Sequence, residues 1–312
     1  MNGTRRSFIM SAAAAGVAPA LLADGGKPSV TPEEESVLAE WQRDTDLAAS
    51  DIYGKYFQDG DTRGLVSLEK LERAFEKVMR EAKETKVAGD VPAVWSVYNM
   101  GYIVKTREAM FSIDLVHRRA AEFAPLLDFA LITHNHGDHW RQDFYQAMNG
   151  ARKTVISNFL DNYGAADWRK GGKTWYAAGG YIRGVKTFKI KDMEIRTSLV
   201  DHNDYLIDFT TAFEIRIGDF VLYHTGDSGY GTEPKLGTVW GRPDLWLFFP
   251  GCGVDVGKAV RKVNPKRVVF GHLWELGHKT GRLTAPLIRR ALVNARAHCG
   301  AVSFALWGDR VV

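Results

Sequence analysis

Two patterns of hydrophobic positions divide the chain. Within residues 67–84, Leu68, Leu71, Phe75, Val78, Met79 and Ala82 recur at helical spacing and predict an amphipathic helix. An earlier helix is predicted from Thr31. There an N-cap threonine precedes Pro32 at the first helical position and Glu33, Glu34 and Glu35 in the first turn. From residue 91 the pattern changes to short apolar runs divided by turn-like residues. These predict strands at 94–98, 102–106, 109–113, 129–133, 153–157, 186–190, 194–200, 212–217, 220–224, 245–249, 267–270 and 302–307. Gly218-Asp219 between two of them is a hairpin signal. Helices are predicted at 116–124, 140–150 and 284–297. Strands and helices interleave, which is the α/β pattern.

The strand at 129–133 runs directly into the densest chemistry in the chain. Residues 131–140 read LITHNHGDHW, with His134, His136, Asp138 and His139 inside six positions. Neutral imidazole and carboxylate both suit a borderline cation such as zinc. A strand that ends in such a cluster places it where loops converge, and Gly137 lets the backbone turn sharply between the candidate ligands. His134 and His136 can chelate one ion from a turn, which leaves Asp138 and His139 pointing towards a second.

The stretch THNHGDH resembles the signature of the metallo-β-lactamase superfamily. That family also carries a later histidine, a bridging aspartate and a last histidine. Here His202 in VDHN, Asp227 in YHTGDS and His272 in VFGHL follow in the same order, each after a strand-like run. The resemblance covers roughly residues 90–312. It implies a four-layered αββα sandwich with the metals at one edge between the sheets. The two N-terminal helices precede the resemblance and are expected to pack against this domain as an appendage. His134, His136 and His202 would hold one divalent ion and Asp138, His139 and His272 the other, with Asp227 between them. Zinc is the default, although iron or manganese accept the same ligands. A two-metal site supplies hydroxide held between the ions as nucleophile, and Asp138 can orient it or take its proton. An Asp at position 114 supports the ligands in relatives, by holding a ligating imidazole.

The motifs look closest to the branch containing ascorbate-6-phosphate lactonase and N-acyl-phosphatidylethanolamine phospholipase D. This implies a hydrolase acting on a phosphodiester, phosphoester or lactone. The alternatives are a thioesterase or glyoxalase II-like enzyme and a non-enzymatic metal-binding member. Diiron oxidoreductases of the superfamily place Glu where His136 stands, and its β-lactamases place Cys or Ser where Asp227 stands. This chain departs from both.

Composition sharpens the picture in a few places. The 312 residues, 45% of them hydrophobic, suffice for a full core. A net charge of +4 does not suggest a nucleic-acid partner, and no apolar run reaches the ~18 residues of a membrane span. Arg5-Arg6 followed by Ser7-Phe8, then alanine-rich residues to Ala23, resembles a twin-arginine export signal and implies a periplasmic or secreted protein. Its removal would take away two arginines and no acid, so +4 becomes +2. The chain is therefore divided into a signal at 1–23, a linker and helices at 24–90, and the hydrolase domain at 91–312.

Residues 158–184 mix aromatic residues such as Trp168 and Trp175 with Arg169, Lys170, Lys173 and many glycines. They read as a long loop suited to a small, anionic or sugar-like substrate, or else as a surface excursion. Glu275 and His278 are candidate proton donors or substrate contacts, His224 is a candidate support for the site or a core histidine, and His117 and His298 have no role. Cys252 and Cys299 are candidates for a disulfide in an exported protein. Cys252, in PGCG, is not at a metal-ligand position.

Overall fold

The computed structural model describes residues 29–45, 50–157, 174–175, 185–276 and 284–312. Three helices come first: α1 (Pro32–Thr45), α2 (Ser50–Asp59) and α3 (Val66–Glu84). Helix α1 starts as its sequence dictates. The Glu34 N–H donates to Thr31 Oγ1 at 3.2 Å and the Thr31 N–H donates to Glu34 Oε2 at 2.9 Å, a reciprocal capping box. Leu68, Leu71, Phe75 and Val78 of α3 are buried along one stripe.

Strands β1 (Ala93–Ser96), β2 (Tyr102–Lys105), β3 (Met110–Ile113), β4 (Phe129–Leu131), β5 (Thr154–Ile156) and β6 (Thr174–Trp175) form one sheet in that order. Strands β7 (Lys186–Ile190), β8 (Met193–Val200), β9 (Thr210–Ile217), β10 (Phe220–His224), β11 (Leu245–Phe248), β12 (Val268–Phe270) and β13 (Val302–Phe304) form the second. Each sheet begins as an antiparallel meander and continues as parallel strands, from β3 onward in the first and from β10 onward in the second. Helices α4 (Gln142–Gly150), α5 (Val256–Val263) and α6 (Thr284–Arg296) complete the chain.

The layering follows from the two-residue period of a strand. Val94, Val104, Phe111, Phe129 and Leu131 of the first sheet meet Ile195, Phe213, Ile215, Leu222, Leu247 and Val269 of the second in one core between the sheets. Their immediate neighbours Trp95, Ile103, Ala130, Trp246, Phe248, Val268 and Phe270 point the other way, into clusters shared with the helices. Strands buried on both faces must be apolar at nearly every position, which is why they read as continuous runs. The result is the expected αββα sandwich.

The N-terminal helices expected as an appendage join an outer layer. Trp41 packs against Trp274 and Trp307 at centroid distances of 5.2 and 5.1 Å. Arg296 pairs with Glu34, and Arg289 with Glu35. The helix expected at 116–124 is instead a single 3-10 turn, Ala120–Phe123, followed closely by Pro125, which cannot extend it. No helix among the described residues is long and apolar enough to cross a membrane.

Candidate metal centre

Five strands end at one edge of the sandwich, and each is followed by a polar residue. Asp114 follows β3, His134 to His139 follow β4, His202 follows β8, Asp227 follows β10 and His272 follows β12. Both sheets therefore contribute to one cluster. His134, His136 and His202 bring ring nitrogens within 4.8 Å of one another. Asp138, His139, Asp227 and His272 do the same a short step away. All seven residues singled out in the sequence are brought together, with Asp227 grouped both with Asp138, His139 and His272 and with His202.

The backbone reaches this arrangement through tight turns. Gly226 has φ +51°, and a Cβ there would lie 2.8 Å from Thr133 Cβ and from Thr210 Cγ2. The THNH turn and the TGD turn can approach this closely only with glycine at 226. His272 itself sits at φ +60°, a conformation that costs a non-glycine residue roughly 1–2 kcal/mol. Its N–H donates to Asn99 O at 3.0 Å, which holds it there.

Hydrogen bonds fix which face of each ring points inward. Asp114 is fully buried at φ +45°. It accepts from the Thr133 N–H at 2.7 Å and from the Thr133 hydroxyl at 2.7 Å, and its Oδ2 lies 2.9 Å from His139 Nδ1. The carboxylate accepts the Nδ1 proton and leaves the Nε2 lone pair of His139 facing the cluster. With its proton given to Asp114, the Thr133 oxygen accepts from His134 Nδ1 at 2.9 Å. His134 Nε2 then faces His136 Nδ1 at 3.1 Å. Ligands in a tetrahedron at zinc–nitrogen distances of about 2.0–2.1 Å lie roughly 3.3 Å apart, so this is ligand spacing.

The buried polar atoms also fit a cation. His139 Nε2 and Asp227 Oδ1 lie 3.1 Å apart, yet neither makes a hydrogen bond, because they do not point at each other. His202 Nε2 is buried and unpartnered too. Orphaned buried polar atoms are costly, and three at one spot require a shared partner. A divalent ion accepts lone pairs from all three, so the residues present fit the metals their types imply.

Electrostatics agree. Burial opposes ionisation of Asp138 and Asp227, but the neighbouring imidazoles outweigh it and hold both carboxyls far below the usual range. Burial works against the cations of His139 and His272 as well, yet Asp227, Asp138 and, for His139, Asp114 push both upward. His134 and His136 are held down by burial and by neighbouring imidazoles, which outweigh the carboxylates. The centre thus carries ionised carboxylates that demand positive charge and two histidines already suited to a neutral, ligating form.

Other expectations resolve one by one. His224 is a satisfied core histidine: the Gly226 N–H donates to its Nδ1 at 3.2 Å, and its Nε2 donates to Met100 O at 3.1 Å. Glu275 is half-buried near Tyr98 and Cys252, and its charge helps to push both upward after the larger effect of burial. His117 and His298 lie outside regular helix, His117 before the 3-10 turn and His298 just past α6. His278 and most of the loop at 158–184 lie outside the described residues. No disulfide joins the cysteines: both are free, and Cys299 is buried with its Sγ 3.5 Å from Pro265 O.

Cys252 was expected away from any ligand position, and the structure corrects this. Its Sγ lies within 4.8 Å of ligand atoms of both His202 and Asp227. Two aromatic walls are likewise unmarked in the sequence. Phe209 lies 5.2 Å from His136 and 5.6 Å from His134, and Phe249 stacks on His272 at 4.1 Å. These three come to the centre only through tertiary folding, so no local motif announces them.

No family model matches the chain. A UPF0173 metal-dependent hydrolase of Heliobacterium modesticaldum is 28% identical over 161 residues, 46% of this chain. The match spans 65% of that relative, just under two thirds of its length. Among solved structures, the metallo-β-lactamase fold protein YhfI from Bacillus subtilis superposes with a TM-score of 0.51 at 15% identity, over 70% of this chain and 99% of that one. CmlA, a diiron β-hydroxylase from Streptomyces venezuelae, superposes with a TM-score of 0.53 at 16% identity, over 74% of this chain and 56% of that one. The chain has the metallo-β-lactamase fold.

Proposed function

We propose that the protein is a metal-dependent hydrolase that cleaves an ester bond, in a phosphodiester, phosphoester or lactone, at this centre. The observation that carries the reading is the convergence of seven ligand-type side chains with three buried, unpartnered atoms among them. The UPF0173 relative, itself described as a metal-dependent hydrolase, supports it. His134, His136 and His202 would hold one divalent ion and Asp138, His139 and His272 the other, with Asp227 shared. Zinc suits this donor set, and iron or manganese are the alternatives, since a diiron protein shares the fold. When bound, such ions supply Lewis-acid polarisation of the ester and a water that ionises near neutral pH.

The chain's own residues do the rest. Asp114 and Thr133 fix the tautomers of His139 and His134. Asp138 has a side chain 24% exposed, against 7% for Asp227. It is the more accessible carboxylate, and its Oδ2 lies 2.9 Å from His272 Nε2. From that place it can accept a proton from an attacking water. Phe209 and Phe249 pack against the His136 and His272 rings and help to fix their positions.

A substrate panel tests the ester reading. Zinc-loaded protein is expected to turn over a generic phosphodiester or lactone and to leave β-lactams almost untouched. Asp227→Ala is expected to lose one metal and at least ~10²-fold in rate, because it removes a shared ligand from a two-metal site. Efficient β-lactam hydrolysis with no esterase or phosphodiesterase activity would overturn the ester assignment.

A further inference from the structure

We propose that Cys252 supplies a sulfur ligand to the His202–Asp227 side of the centre, which makes this side selective for a thiophilic cation such as zinc. The proposal rests on the metal-centre reading above and extends it to an eighth residue. Its first support is position. The ligand atoms of Cys252, His202 and Asp227 all lie within 4.8 Å of one another. Its second support is independent of the thiol. Asp227 is 5% exposed and its Oδ1 is unpartnered, and His202 Nε2, 3.6 Å from Asp227 Oδ2, is buried and unpartnered. The sulfur therefore joins two residues that each keep a buried atom without a partner.

The loop carrying Cys252 is held against the centre from several sides. Its carbonyl accepts from the Tyr230 N–H at 2.9 Å. A Cβ at Gly229 would lie 1.7 Å from His202 O and 2.7 Å from Cys252 O, so the two backbones close on a glycine two residues after Asp227. Gly251 lies against the Phe249 ring, where a Cβ would come within 2.2 Å of Cζ, and that ring stacks on His272. Gly253 takes φ +83°, a left-handed turn that returns the chain after the cysteine. The loop cannot back away without disturbing His202, His272 or both.

The chemistry follows from ligand softness. Imidazole and carboxylate accept zinc, iron and manganese with little discrimination beyond the general affinity order, whereas thiolate favours zinc over harder cations. On coordination the sulfur gives up its proton to solvent and forms one bond to the cation. No redox step is involved. Cys299 offers no competing thiol, being buried and directed at the Pro265 and Ala301 carbonyls.

X-ray absorption of the zinc-loaded full chain tests this directly, with metal content measured on the same sample. The proposal expects a sulfur scatterer at about 2.3 Å beside nitrogen and oxygen at about 2.0–2.1 Å. Cys252→Ser should lose the sulfur shell yet still bind zinc, and Cys299→Ser should keep it. In competition dialysis, the zinc-over-manganese preference of Cys252→Ser should fall by about tenfold or more. Bound zinc with only light scatterers in the wild-type protein overturns the sulfur ligand and leaves the seven-residue centre standing. So does an unchanged metal preference in Cys252→Ser. A wild-type chain that binds no zinc at all overturns both.

Discussion

Asp114 carries more of the site than its position suggests. It touches no candidate metal position, yet it orients His139 and pins Thr133, which in turn orients His134. Asp114→Ala should lower metal affinity about 10–100-fold, because a ligating imidazole loses its outer partner. It should also destabilise the metal-free protein by about 1–3 kcal/mol, since the buried Thr133 N–H loses its acceptor. Equilibrium dialysis and thermal unfolding of the stripped protein measure the two effects separately, and unchanged values in both would contradict this role. At this scale the sequence was legible where chemistry is contiguous. His134, His136, Asp138 and His139 stand in one short run after a strand, whereas His202, Asp227 and His272 are scattered along the chain and were found through the ligand order that the resemblance implies. Cys252, Phe209 and Phe249 were illegible, because only the folding of separate loops brings them to the rings.

The helices and strands show the same division. Strands β7 and β10 fall where alternation and hairpin signals put them, because their ends are set by local turns. Helices α2 and α5 escaped notice. Each is short and has an interior glycine, Gly54 or Gly257, and tertiary contacts rather than propensity stabilise them. Helix α3 illustrates such contacts. Phe75 stacks on His117 at 4.1 Å, and His117 Nε2 donates to the Tyr56 hydroxyl at 3.0 Å while its Nδ1 accepts the Arg119 N–H at 3.1 Å. Tyr56 in turn donates to Glu72, which also binds Arg118 and Arg119. Burial, only partly offset by Glu72, pushes His117 down to about 3. The unfolded chain takes up this proton near pH 6.5 and the folded chain does not, so stability falls as pH drops from 6.5 towards 3. The loss reaches about 1.4 kcal/mol per pH unit for this group. The Glu72 carboxyl, held down by Arg118 and Tyr56 against its burial, loses stability in the same direction at lower pH. His117→Gln should therefore flatten the acid limb of the stability curve of stripped protein by about one proton's worth, while His134 and His224 keep some slope. Denaturant unfolding at pH 4.5, 5.5 and 7 gives the answer, and a slope equal to that of the wild type would refute the assignment.

For the molecule as a whole, the two-sheet sandwich is a scaffold whose strand ends meet at one edge, and the α/β class followed from alternating runs alone. The layering came from the metallo-β-lactamase resemblance, because apolar runs mark strands covered on both faces but not what covers them. That α1 and α3 pack against the main domain was expected, but which layer they join was not legible, since an amphipathic stripe does not say what it faces. Export belongs to this scale too. The twin-arginine reading of Arg5-Arg6, which we propose, predicts that changing both arginines to lysine leaves the precursor in the cytoplasm, and fractionation showing undiminished periplasmic delivery would contradict it. The central claim is that both sheets meet around a pair of divalent cations, and metal content per chain tests it most directly. Elemental analysis of purified protein incubated with zinc, iron or manganese should find about two ions per chain, with His134→Ala and His272→Ala each lowering that count and abolishing hydrolysis. A folded wild-type chain that stays metal-free after all three incubations would contradict the account.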